Sequence, residues 1–409
     1  VVVREAGFDF ALARILAFVK LVYRAPNVMR RILQAHAYVR RNGVDALFWR
    51  KVRRVLAGKS SIASSLADPM SEVFGYAGRE TAPFSIGRLA VGVSSGGNFF
   101  MHEIACLIAS GFEESGVRVD LFDEKSIPAA GSQEWVIVVA PHEFFLLDCP
   151  VNAFAKLRRH RRLAMVNTEQ LQTPWFERAL KYIRRADLVL DISFQSAIRL
   201  RFNGFPVRFI PLGYSERYQT RFSGRHLARR GPTEGLRPSV IHNPPAEFAD
   251  RPIDILFIGT ESPRRREFFA KNAPFFSAFS CFIYLPSGQA PFMRDSPATL
   301  DFQHCIGLAQ RAKIVLNIHR DAERYLEWQR IVNIGIFSGA CVISDSCESN
   351  PLLLAGRHYL DVPLEAVTDA CARMLSDPHR AAGFASSARE DLVRGAPIKD
   401  FLRRVLAGI

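Results

Sequence analysis

Short apolar runs alternate along this chain with stretches of helical periodicity, and they do so in two separate series. The first series places strands at Arg88–Ser94, Val117–Phe122, Trp135–Ala140, Leu163–Asn167, Leu188–Ile192 and Val207–Ile210. The second places them at Ile253–Ile258, Phe282–Leu285, Ile314–Ile318 and Ala340–Ser344. Helical patterns follow Gly96-Gly97-Asn98 (Phe99–Ser115) and fill Pro263–Ala270, Leu300–Gln310, Leu326–Phe337, Val367–Leu375, Ala382–Arg394 and Asp400–Leu406. Strands separated by helices of about 10–15 residues form βαβ units, and such units build parallel sheets. Between the series, 221–252 is rich in Arg, Gly and Pro and has no periodicity, as a linker would be. The expected fold is α/β, with two Rossmann-like domains facing a cleft and a basic helical arm before them. The expected divisions are an arm or linker over 1–80, a first domain over 81–235 and a linker over 236–252. A second domain over 253–390 and a C-terminal helix over 391–409 complete them. In such sheets ligands bind outside the carboxyl ends of the strands.

Charge is unevenly spread. Lys and Arg number 54 against 40 Asp and Glu, yet residues 1–60 hold 13 basic residues against Glu5, Asp9 and Asp45. The basicity is therefore local. Leu12, Ile15, Leu16, Val19 and Val22 recur at helical spacing there, and later turns set Leu47, Phe48, Val52 and Val55 against Arg50, Lys51, Arg53 and Arg54. Such helices suit a solvated arm packed on the next domain or an anionic membrane surface. Few aromatics interleave with the charges, so no nucleic acid is expected as a partner. Gly58-Lys59-Ser60 lacks the first glycine and the preceding strand of a phosphate loop. No run approaches the roughly 20 apolar residues of a membrane span. Seven scattered cysteines without a C-x-x-C pair suit reduced thiols, and a cytoplasmic location is expected.

Three loops carry candidate chemistry. Ser94-Ser95-Gly96-Gly97-Asn98 joins a strand to a helix; it is either a tight turn or a place where backbone approaches a ligand. Gly259-Thr260-Glu261-Ser262-Pro263-Arg264-Arg265-Arg266 puts three cations into the first turn of a helix, against the macrodipole. A bound diphosphate would account for them, as would pairing with Glu261 or Glu267. Asn317-Ile318-His319-Arg320 ends a strand, and Arg330 and Asn333 then share a helix face at i, i+3. His319, Arg320 and Arg330 would converge where a pyrophosphate leaving group needs neutralising. On the first domain, His142 and Glu143 follow a strand and Pro141, and Glu169 follows another strand end. Each is a candidate general base or sugar ligand, or else a loop residue capping a helix.

Gly259-Thr260 with its arginines, Asn317–Arg320, Arg330 and the Gly335–Asp345 run together resemble the C-terminal half of group-1 glycosyltransferases of the GT-B fold. The spore-maturation-type subgroup, in which Arg replaces the first acid of the helix motif, is the most similar. The resemblance covers roughly 250–395, including Gly356–Tyr359 and Ser376-Asp377-Pro378. The basic arm is similar to segments linking modules in bacterial surface-polysaccharide glycosyltransferases. Two glutamates seven residues apart, common in the group, are missing here, and Asn333 stands near the position of one. No D-x-D triplet occurs.

The resemblance implies transfer of a sugar from a nucleotide-diphosphate sugar to a saccharide or lipid-linked glycan, without a metal or other cofactor. It puts the donor on Gly259, Thr260, Arg264, Arg265, His319, Arg320, Arg330 and Asn333. The acceptor would lie near Ser95, Gly96, Gly97 and Asn98, with His142, Glu143 and Glu169 as the catalytic candidates. The alternative is a non-catalytic scaffold or glycan-binding module of the same fold.

Overall fold

The computed structural model describes residues 86–406, apart from 148, 172, 223–226, 228–230, 243 and 288–299. The basic arm expected over 1–80, with its membrane-facing helices, lies outside the described residues.

Among the described residues the first sheet has six strands: β1 (Arg88–Gly92), β2 (Arg118–Phe122), β3 (Trp135–Val139), β4 (Leu163–Asn167), β5 (Leu188–Asp191) and β6 (Val207–Phe209). Their order is β2-β1-β3-β4-β5-β6, and every pairing is parallel. Helices α1 (Phe99–Glu113), α2 (Pro141–Leu146), α3 (Pro174–Ile183) and α4 (Phe194–Phe202) connect these strands. The run WVIVV of β3 is buried at every position, as befits a strand covered on both faces. At the edge, β2 is exposed at Arg118 and Leu121.

The second sheet holds β7 (Ile253–Ile258), β8 (Cys281–Tyr284), β9 (Ala312–Asn317), β10 (Cys341–Asp345) and β11 (Leu360–Val362) in the order β11-β10-β9-β7-β8, again parallel. Its helices are α5 (Pro263–Lys271), α6 (Phe302–Ala309), α7 (Val367–Leu375), α8 (Pro378–Gly395) and α9 (Ile398–Leu406). Side chains alternate across a strand, and the sheet uses both faces. Ile255, Phe257, Ile314, Leu316 and Ile343 pack with Val367, Cys371 and Met374 of α7. Leu256, Ile258, Val315 and Val342 join the core that continues into the first layer. Each fully buried side chain of this size contributes about 1.5–3 kcal/mol.

The carboxyl edges of the two sheets face one another. Phe100, just past β1, meets Phe302, past β8, edge to face at 6.1 Å. Gln195, past β5, donates to the Ser349 carbonyl, past β10, at 2.5 Å. The Trp328 indole N–H, past β9, donates to the Leu212 carbonyl, past β6, at 2.7 Å. These contacts make the two layers the walls of one cleft, the GT-B arrangement. The chain also crosses between them at Ala396-Pro397, where Tyr214 N–H donates to Ala396 and Ile398 N–H to Tyr214. A side chain at Gly213 would collide with the Ala396 carbonyl. Beyond the crossing α9 packs on α1, with Ile398 and Leu402 lying 2.8 Å from where a Gly111 Cβ would be.

Two elements differ from expectation. The helix expected over Leu326–Phe337 is a π-helical turn over Gln329–Gly335 running into a 3-10 turn at Ile336–Ser338. The segment is pinned at Trp328 by Leu212 and at Gly335, where any side chain would collide with Val342, so the turn widens between fixed ends. Strand β11 was not anticipated, because three half-buried edge residues show no readable period. No helix among the described residues is long and apolar enough to cross a membrane.

Candidate active site

In each sheet the strand order reverses beside the earliest strand: β1 is flanked by β2 and β3, and β7 by β8 and β9. The crevice outside such a reversal is where open α/β sheets bind ligands. The candidate residues gather at these two places.

On the first layer, strand β3 ends at Ala140, the one described non-glycine residue with positive φ (49°). That left-handed turn carries a strain of about 1–2 kcal/mol. It delivers Pro141, His142 and Glu143 into the first turn of α2, and His142 and Glu143 are both buried. Glu143 accepts the Asn98 backbone N–H at 2.8 Å. Burial pushes its carboxyl above the usual range, against the pull of that N–H. His142 Nε2 stands 3.2 Å from Glu169 Oε1, while its Nδ1 has no protein partner among the described residues. The half-buried Trp175 ring lies 5.9 Å from the imidazole, with the Arg178 guanidinium 4.4 Å over the indole.

The glycine loop, expected to lie at the acceptor, binds two carboxylates of the protein. Ser95 donates its N–H (2.9 Å) and its hydroxyl to Glu124, and Asn98 donates its N–H to Glu143. A side chain at Gly97 would collide with the Glu143 carboxylate. The loop is thus folded around two protein carboxylates, and Gly97 is glycine because Glu143 lies against it. Gly97 is buried, while Ser95, Gly96 and Asn98 stay half-buried.

On the second layer the arginines of α5 are sorted by their partners. Arg265 is buried, donating to Ile318 O (2.9 Å) and Thr260 O (2.8 Å), and burial lowers its pKa to about 10. These bonds fix the Gly259-Thr260 loop, and a Cβ on Gly259 would stand 3.0 Å from the Arg265 Nη1. Arg264, only 25% exposed, bridges His319 O (2.9 Å) and Asp345 Oδ2 (2.6 Å). Arg266 pairs with Glu261 at the surface, the pairing that was the alternative to a diphosphate.

His319 is buried, with Nδ1 2.6 Å from Asp345 Oδ1 and Nε2 2.6 Å from the Tyr325 carbonyl. Both ring nitrogens therefore face acceptors. Burial alone would raise the Asp345 carboxyl, but His319 and Arg264 hold it below the ordinary range. Arg330 donates to Ile258 O (3.0 Å) and Asn317 Oδ1 (2.6 Å) and lies 3.6 Å from Glu327. Burial would raise Glu327 too, and Arg330, Arg265 and His319 hold it down. Arg320 is exposed and its carbonyl accepts the Ser262 hydroxyl. Asn333 is fully buried on the π-helical turn, its amide N–H on Gln329 (2.8 Å) and its Oδ1 without a protein partner.

Glu124, Asp191, Glu327, Asp345 and Trp175 were not among the candidates. Four of them had a readable signal: Glu124, Asp191 and Asp345 are acids at or just after a strand end, and Glu327 sits beside the Arg330 motif. Trp175 had none.

No protein-family model matches the sequence, and no curated protein matches it significantly. Solved structures similar to it include Anabaena HepE in complex with UDP-glucose, with a TM-score of 0.46 and 10% identity over 78% of this chain and 98% of that one. Sucrose-phosphate synthase from Thermosynechococcus elongatus gives 0.48 and 14% over 77% and 96%. An alpha-glucosyltransferase in complex with UDP gives 0.46 and 10% over 75% and 95%.

Proposed function

We propose that the protein is a glycosyltransferase that moves a sugar from a nucleotide-diphosphate sugar to a saccharide or lipid-linked glycan, in the manner of the spore-maturation-type subgroup. The observation that carries this reading is the charge placed at the second reversal point. Arg264 pairs with Asp345 and Arg330 lies beside Glu327 there, while Arg265 bonds Ile318 and Thr260 and Arg320 stands exposed, leaving an excess of positive charge that a diphosphate complements. Arg330 and Arg320 would face the leaving group, and Arg264 and His319 would screen it. Gly259 and Thr260 would approach the phosphates, and the unpartnered Asn333 Oδ1 suits a ribose or sugar hydroxyl.

Across the cleft, the His142 Nδ1 has no protein partner among the described residues, and His142 is the favoured base. Glu169 orients it, and Glu143, with its raised pKa, is the carboxyl suited to hold a proton. Fixed cations stabilise the departing diphosphate without a metal in this reading. The acceptor would enter past Gly96, and the basic segment 1–60 would hold the enzyme at the cytoplasmic side of an anionic membrane during surface-polysaccharide assembly.

One observation favours a second reading, a non-catalytic module of the same fold. Two of the three guanidinium nitrogens of each of Arg264, Arg265 and Arg330 already face a protein acceptor. Thermal shift across UDP-, GDP-, dTDP- and CMP-sugars, followed by calorimetry on the ligand that stabilises, separates the two. A ligand at 100 times its Kd stabilises by about 2.7 kcal/mol. Arg330→Ala should then weaken binding by about 1.5–3 kcal/mol, tenfold or more. No stabilisation by any nucleotide sugar would remove the transferase reading; binding without turnover would leave the module.

A further inference from the structure

We propose that Asp191 is a positioning residue, holding Glu169 and through it His142 by way of Asn167; the role this gives His142 rests on the transferase reading above. Asp191 ends β5 with no accessible surface. One carboxylate oxygen, Oδ1, accepts the Ser193 N–H (2.8 Å) and the Ser196 hydroxyl (2.6 Å) at the start of α4. Together with the hydroxyl of the N-cap Ser193, which accepts the Ser196 N–H, these bonds cap the entry to α4, a task that a neutral Asn or Ser performs as well. The second oxygen is not explained by the helix. Oδ2 accepts the Asn167 amide N–H at 3.0 Å across a register pair of β4 and β5.

The Asn167 side chain grips the backbone of Glu169 at both its polar groups. Its Nδ2 donates to Glu169 O (3.0 Å), and its Oδ1 accepts the Glu169 N–H (3.4 Å). The Glu169 carboxylate then divides between the Thr173 hydroxyl (3.3 Å) and His142 Nε2 (3.2 Å). A nitrogen facing a carboxylate carries the hydrogen, so the remaining nitrogen, the unpartnered Nδ1, keeps the lone pair. The series runs across the ends of three adjacent strands, β5, β4 and β3. Asn167, Ser193 and Ser196, which bond Asp191, are all neutral, and an ionised carboxylate buried without a cation is costly. Burial pushes this one up to about 7. A carboxylate kept at that cost at the edge of a reaction site has a task that the cap alone does not supply.

Asp191→Asn is a selective lesion. Its single oxygen stays with the two donors of the cap, which leaves an amide NH2 facing the NH2 of Asn167. The cap survives and the link breaks. Ser196→Ala does the reverse, weakening the cap and leaving the link. In full-length protein labelled with 15N-histidine, the His142 ring signals are assigned by their loss in His142→Gln. The wild type should show the neutral ring with hydrogen on Nε2. Asp191→Asn should turn this into a mixture of tautomers, and Ser196→Ala should leave it unchanged. Where a nucleotide sugar has been identified, Asp191→Asn should lower the transfer rate on the order of 100-fold with donor affinity unchanged, as expected of a misplaced base.

A wild-type tautomer in Asp191→Asn overturns the proposal, as does an equal change in Ser196→Ala. If Asp191→Asn does not fold, Asn167→Ser cuts the same link one residue further on and is read in the same way. The tautomer is observed without substrate, so the two readings fail separately. A responsive ring in a protein that binds no nucleotide sugar ends the transferase reading alone. An indifferent ring in an active transferase ends the positioning role alone.

Discussion

The carboxyl edges of the two sheets share a topology and carry opposite chemistry. At the first, the loops turn backbone N–H groups and hydroxyls inward, and carboxylates fill the space: Glu124 on Ser95, Glu143 on Asn98, Asp191 on Ser193 and Ser196. At the second, the loops turn carbonyls inward, and guanidiniums fill it: Arg265 on Ile318 and Thr260, Arg330 on Ile258, Arg264 on His319. Buried polar groups must find partners, so the direction in which a loop presents its backbone selects the sign of the side chain beneath it. One edge is thereby lined with carboxylates and the other with guanidiniums.

The largest effect that would break this contrast is at Arg265. Arg265→Ala strands two buried carbonyls and leaves a cavity, and it should cost about 3–5 kcal/mol in urea unfolding. A loss below about 1 kcal/mol would mean that the carbonyls of the second edge need no cation. Gly97→Ala tests the opposite edge. Its Cβ would displace Glu143, and overpacking of this kind costs about 1–3 kcal/mol. A neutral result would show that the first loop is not shaped by its carboxylate.

A third test is a slope. Asp191 holds its proton to about 7 in the folded chain and to about 3.8 in the unfolded one. Between those values the unfolded state binds fewer protons, so stability should fall as pH rises, by up to one proton's worth. Asp345 has the reverse sign. Its depressed pKa adds stability above its ordinary value, and that stability is lost as pH falls below about 3.8. Unfolding free energies at pH 4 to 7 should therefore decline in the wild type relative to Asp191→Asn, and parallel lines would refute the contrast for Asp191.

Much of the second edge was legible because its chemistry is concentrated. Arg264–Arg266 and Asn317–Arg320 stand in short runs at strand ends, and a cluster of like charges at a helix start demands an explanation. Even so, the runs did not reveal which arginine is buried. Arg265 and Arg264 are neighbours on one turn, and the structure separates them by burial: Arg265 lies over Phe257 on the Ile318 and Thr260 carbonyls, and Arg264 is partly exposed on Asp345. The first edge was less legible. His142 and Glu143 were visible after their strand, but the contacts that define them, Asn98 with Glu143, His142 with Glu169 and Asn167 with Asp191, join residues 24 to 45 positions apart.

The sequence by itself determined the two parallel layers, because the period of apolar residues decides strand or helix locally, and alternating strands and helices close into parallel sheets in few ways. It also determined where the ends of those strands, and so the candidate loops, would be. Only the tertiary structure decided what the loops do. Gly97 could have served a ligand or a carboxylate, and Asn333 could have faced the cleft or the wall. Those outcomes depend on which buried donor or acceptor is left without a partner once the strands are side by side, and that is a property of distances between residues remote in the chain.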